Sequence, residues 1–197
     1  MNLLERDSVE VAPLLLGGIL TVDAVSLRIT EVEAYLGEVD PGSHAFRGPT
    51  ARTAVMYGPP GHLYTYFTYG MHVCANVVCS PEGVASAVLL RAGEIVDGID
   101  VARRRRTTSK TDADLARGPA RLCVALGITL ADGGADLASG RFTLELPESR
   151  APYATGPRTG VSGAGGSDDY PWRFWIPGDP TVSPYKRSVP KKRPITP

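Results

Sequence analysis

One carboxylate stands at the head of an aromatic cluster, and that arrangement carries the chemistry legible in this chain. Glu33 opens the run Glu33-Ala34-Tyr35-Leu36-Gly37, and His44 follows in the next loop. A second run, Gly61-His62-Leu63-Tyr64-Thr65-Tyr66-Phe67-Thr68-Tyr69-Gly70-Met71-His72-Val73-Cys74-Ala75-Asn76, adds three tyrosines, two histidines and an asparagine. Such residues can build a slot that stacks a flat ring, hydrogen-bonds its edge and sets one oxygen base beside it. A nucleobase flipped out of a duplex needs such a slot. Four of the chain's 8 tyrosines lie in these two segments. A π-face with a hydrogen-bonding end suits recognition better than core filling.

Glu31 and Glu33 share a strand parity, so a glycosidase-like acid/base pair is one reading and two solvent-facing strand carboxylates is the other. Tyr69 beside Gly70 reads either as a recognition residue or as an ordinary turn tyrosine. Asn76, within an apolar strand, must find partners if buried and could be a structural amide.

The elements that position these residues follow from periodicity and turn signals. Val9 to Leu16 reads as a short helix with Pro13 in its first turn. Strands are expected at 18–22 and 27–35, the second placing Leu27, Ile29, Glu31, Glu33 and Tyr35 on one face. Residues 62–78 read as a hairpin broken at Tyr69-Gly70, with Tyr69 near its tip. A further strand is expected at 84–91, and helices at 94 to about 106 and at 120–126. Further strands are expected at 142–146 and 172–176, flanking a Gly-, Ser- and Pro-rich exposed loop at 147–170. Together these predict one α+β domain over residues 1–183: a curved, mostly antiparallel sheet with surrounding helices and a protruding β-hairpin. Residues 184–197 form a basic, Pro-rich tail.

Composition sets the class. A chain of 197 residues, 43% apolar and 21% charged, suits one soluble domain with a real core. No apolar run approaches the roughly 20 residues that span a bilayer. Leu14 to Leu20 follows an acidic start and lacks a basic leader, so it does not read as a signal peptide and the cytosol is expected. Cys74, Cys79 and Cys123 are odd in number without metal-site spacing, so buried free thiols are expected, with no metal and no cofactor. The formal net charge is zero, but residues 1–80 hold 4 Lys+Arg against 8 Asp+Glu, a net of −4, and the remainder holds the balancing +4. Arg103 to Arg106 and the tail could hold phosphates; the alternative is a solvated helix face and a disordered end.

The motifs, taken in order, resemble the alkyladenine (3-methyladenine) DNA glycosylase family. The resemblance rests on Thr30 to Gly37, His44, Leu63 to Asn76, Val88 to Ala92, Gly118 to Cys123 and Pro171 to Ile176, and so spans most of the chain. It implies excision of alkylated or deaminated purines (3-methyladenine, 7-methylguanine, hypoxanthine, ethenoadenine) from double-stranded DNA by a monomer, leaving an abasic site. It further implies that Glu33 activates the attacking water, that Tyr35, His44 and Tyr66 wall the base pocket, and that Asn76 disfavours guanine. Tyr69, with Met71 beside it, would enter the minor groove; Arg91 and Arg121 would hold the DNA backbone. The four lysines, Lys110, Lys186, Lys191 and Lys192, fall outside these motifs, which predicts a monofunctional enzyme without a Schiff base. The segment 52–58 and the pair Phe67-Thr68 depart from the family pattern. Two rivals stand beside this reading: a nucleoside or sugar hydrolase using Glu31 and Glu33, and a non-catalytic module that stacks single-stranded nucleic acid.

Overall fold

The computed structural model describes residues 3–68 and 70–188. Helix α1 (Ser8–Leu15) starts at Asp7, whose carboxylate accepts hydrogen bonds from the amides of Val9 and Glu10 at 2.9 Å. Pro13 sits beyond the first turn, not within it as expected; the helix ends two residues later, which limits the cost to one lost backbone bond. Ser8 fastens α1 to the sheet: its hydroxyl donates to the Tyr35 carbonyl at 2.9 Å, and its amide donates to Ser86 Oγ at 2.8 Å.

Eight strands form one sheet in which every pairing is antiparallel. They are β1 (Ile19–Val22), β2 (Val25–Tyr35), β3 (Leu63–Thr68), β4 (His72–Val78), β5 (Ala87–Asp97), β6 (Phe142–Glu145), β7 (Ala154–Gly156) and β8 (Arg173–Trp175). The main order is β3-β4-β5-β2-β1-β6. On one side β2 pairs with β5; on the other its first part pairs with β1 and its last part with β8, which also carries β7.

The register of β2 and β5 shifts around Glu31, and the shift corrects the expected strand faces. Core residues on β2 are Val25, Leu27 and Ile29 before it, but Val32 and Ala34 after it. An extra residue inverts side-chain parity. Glu33 and Tyr35 therefore leave the core face of Leu27 and Ile29 and stand on the opposite side of the sheet.

The expected helix from 94 is also corrected. Strand β5 continues to Asp97 because Ile95 and Asp97 pair with Leu27 and Ser26. Gly98, in a left-handed conformation at φ +70°, then opens the shorter helix α2 (Ile99–Arg105). Helix α3 (Pro119–Leu126) lies against β4 and β5 and, with α1, covers the apolar face of the sheet. All three cysteines are buried and unpaired. Among the described residues no helix is long and apolar enough to cross a membrane. Most of the basic tail, from residue 189, lies outside the described residues.

Candidate active site

Strand β2 ends at Tyr35, and the chain must turn sharply to bring His44 back over it. Gly37 makes that turn at φ +53°, where a Cβ would run into the Ala85 carbonyl. Asp40 secures the turn by accepting from the amides of Leu36 at 3.1 Å and Gly42 at 2.8 Å. The result is a cavity of about 360 Å³ lined by Glu33, Tyr35, His44, Tyr64, Tyr66, Cys74, Asn76, Arg91 and Thr159, among others. Glu33 is the one carboxylate in that lining among the described residues.

Glu33 is fully buried at the cavity floor. Its Oε2 accepts the Tyr35 hydroxyl at 2.8 Å, and its Oε1 accepts the Thr159 amide at 2.6 Å. Arg91 Nη1 stands 3.4 Å from Oε1. Burial, then the Glu33 charge, pushes the Tyr35 phenol well above its ordinary pKa, so it remains a donor.

The aromatic wall comes from β3 and from the loop after β2. Tyr64 and Tyr66 stack with centroids 5.8 Å apart, and the His44 ring meets Tyr66 edge-on at 4.6 Å. Arg52 Nη2 donates to His44 Nε2 at 3.2 Å, so the ring's hydrogen lies on Nδ1, 3.1 Å from the Tyr64 hydroxyl. Desolvation, and then the Arg52 charge, lower the imidazole pKa to about 4, and His44 is neutral at pH 7. Asn76 is buried on β4, and its Nδ2 donates across the ladder to the Tyr64 carbonyl at 3.0 Å. It is thus a structural amide and a lining residue at once.

Glu31 takes no part in the cavity lining. Its carboxylate accepts from Arg91 Nε at 3.0 Å, Arg173 Nε at 2.6 Å and the Ser183 amide at 2.7 Å, all buried. Arg91 differs from its expected setting. Instead of standing free to meet a DNA backbone, it lies within β5, is 7% exposed, and has both glutamates as partners. Arg121 is exposed on α3, away from the cavity lining and ion-paired with Asp114. Met71 is 67% exposed at the end of the β3–β4 hairpin. Tyr69, expected at the hairpin tip, lies outside the described residues. The arginine run is largely absorbed by the protein. Arg103 pairs with Asp100 and Asp112, while Arg105 and Arg106 donate to the carbonyls of Ala125 and Leu115.

The segment 147–170, expected as an exposed loop, supplies the outer wall of the site. Within it Arg158 is 1% exposed, donates to both oxygens of Asp40 at 2.5 and 2.6 Å, and lies 4.6 Å behind the Tyr35 ring. Trp172 flanks the same guanidinium at 5.2 Å. This clamp presents the next residue, Thr159, to Glu33. The Gly-rich composition around Arg158 gives no signal of its burial; only the tertiary partner Asp40 explains it.

Comparison with known proteins agrees with this geometry. A model of the methylpurine-DNA glycosylase (MPG) family matches residues 2–180. A protein of Leifsonia xyli subsp. xyli named "Putative 3-methyladenine DNA glycosylase" is 66% identical over 189 residues, covering 91% of this chain and 89% of its own length. Proteins of the same name from Streptomyces avermitilis and Cutibacterium acnes are 55% and 50% identical, covering 95% and 91% of this chain and 92% and 96% of their own lengths.

Proposed function

From the premise that this chain belongs to the methylpurine-DNA glycosylase family, and so is a DNA N-glycosylase, we propose that Glu33 activates the water that displaces a damaged purine held in the aromatic cavity. The observation that carries the reading is that Glu33 is the cavity's one carboxylate among the described residues, at the foot of the wall formed by Tyr35, His44 and Tyr66. Cleavage of an N-glycosidic bond builds oxocarbenium character on the sugar. An ionised carboxylate beside it stabilises that charge and accepts a proton from water. Glu33 lines the cavity and is otherwise fully buried, so the attacking water reaches it from the cavity side.

The walls favour a purine made cationic by alkylation, since cation–π attraction contributes about 0.5–2 kcal/mol. A neutral His44 adds no opposing charge. The proposed substrates are 3-methyladenine and 7-methylguanine in duplex DNA, with hypoxanthine and ethenoadenine as neutral lesions. Met71, at the end of the hairpin, and Tyr69, two residues before it in the sequence, are proposed to fill the gap left in the stack, and Arg121 to meet the backbone. Asn76 is proposed to limit acceptance of guanine at the ring edge. Arg91 already has two carboxylate partners and acts on the chemistry through Glu33. No lysine lines the cavity among the described residues, which supports a monofunctional enzyme that leaves an abasic site; action as a monomer is proposed with it. The pairing of Glu31 with two arginines disfavours a Glu31/Glu33 acid–base hydrolase.

The test is to incubate duplexes bearing a single lesion, and methylated DNA, with the protein, then cleave with alkali. Base release is expected, with Glu33→Gln slower by about 100-fold or more while still binding lesion DNA. Binding without release would establish the stacking module instead. A borohydride-trapped protein–DNA adduct would overturn the monofunctional reading.

A further inference from the structure

The free oxygen of Glu33 is set by the residue that also walls the cavity. Oε1 is occupied by the Thr159 amide and faces Arg91, so Oε2 is the oxygen with the fewer partners. Oε2 has a single donor, the Tyr35 hydroxyl at 2.8 Å. The two residues are i and i+2 on β2, whose shared parity puts both side chains on the same face. Tyr35 cannot drift from this contact. The Arg158 guanidinium closes the back of its ring at 4.6 Å, and the Ser8 hydroxyl holds its carbonyl at 2.9 Å.

We infer that Tyr35 has two separable roles: its ring bounds the base, and its hydroxyl is a positioning group that aims Glu33 Oε2 at the cavity. This rests on the function proposed above and adds a specific division of labour. A charge-assisted hydrogen bond restricts the carboxylate's rotation. Losing it leaves the flat wall intact while the base at the floor wanders.

Tyr35→Phe removes the hydroxyl and nothing else. Single-turnover base release should slow by about tenfold at neutral pH, the size expected for one hydrogen bond to a charged group. Affinity for lesion DNA should stay within twofold of wild type, so that the loss falls on the chemical step and not on binding. Tyr35→Leu should weaken lesion binding as well, separating ring from hydroxyl. A Tyr35→Phe protein with the wild-type single-turnover rate would overturn the inference, provided wild type releases base and Glu33→Gln does not. A wild-type protein that releases no base would sink both this inference and the function beneath it. Thermal melting of Tyr35→Phe near the wild-type value separates positioning from a folding defect; a lowered melting temperature with lesion affinity falling in step with the rate counts against positioning.

Discussion

Arg91 donates through Nε to Glu31 Oε1 at 3.0 Å, while its Nη1 stands 3.4 Å from Glu33. One cation therefore joins an acid buried in the scaffold to an acid at the cavity floor. The two glutamates, two residues apart on β2, have different duties for that reason. Glu31 pairs with both Arg91 and Arg173 inside the scaffold, and Glu33 is left with an edge toward the cavity.

Glu31 should dominate acid sensitivity of the fold. Burial opposes its ionisation, but Arg91 and Arg173 outweigh burial and hold its pKa below the usual carboxylate value. A depressed folded-state pKa means that the stabilisation is complete above the unfolded-state value and is lost as pH falls through the folded one. Glu31→Ala should destabilise the protein by about 3–5 kcal/mol in denaturant melts at neutral pH, because buried Arg173 loses its counter-charge and Arg91 is left with Glu33 alone. Glu31→Gln should flatten the decline of melting temperature below about pH 4.5. A variant as stable as wild type would refute this assignment.

Arg52 should govern the charge on the pocket wall. Its removal eliminates the second of two causes lowering the His44 pKa, so Arg52→Ala should shift the imidazole titration, followed by NMR, upward from about 4 toward the ordinary 6.5. Desolvation remains and limits the shift. Excision of cationic purines should then decline at a higher pH than in wild type, since a protonated wall repels them. An unmoved titration midpoint would show that Arg52 does not act on the ring.

Asp40 should be indispensable to the outer wall. Asp40→Ala strands the buried Arg158 charge and two amides, those of Leu36 and Gly42. A loss of about 3–5 kcal/mol in stability is expected, together with slower excision, because the Thr159 amide loses its support. Chemical denaturation and single-turnover assays would each register it.

Thr159 offers a clean separation of backbone from side chain. Its amide serves Glu33, but its hydroxyl is buried without a hydrogen-bond partner among the described residues. Thr159→Val keeps the amide and the shape. It should raise stability by about 1 kcal/mol, removing an unsatisfied buried group, with excision within twofold of wild type. A large loss of activity would mean that the hydroxyl itself has work to do.

The chain's own text discloses the site unevenly. Glu33, Tyr35, Tyr64 and Tyr66 are legible because alternation along a strand keeps them close in sequence and on one side in space. The bulge near Glu31 is not legible. Leu27, Ile29, Val32 and Ala34 are all apolar, and alternation cannot reveal an inserted residue when both parities are hydrophobic. Strand β5 was expected to end early because Glu94, Asp97 and the following arginines suit a helix; pairing with β2 overrides that propensity. Arg158 is the clearest omission. Its partner Asp40 lies 118 residues away, and no local pattern couples a Gly-rich segment to a distant turn.

That coupling has a consequence for how damage is sorted. A wall riveted to the sheet through two sealed charges has no soft direction in which to yield, so a docking duplex meets a recess already at its working width. The burden of deformation therefore falls on the nucleic acid. Nucleotides whose own pairing or stacking is weakened reach the recess first, before any contact inside it has discriminated among them.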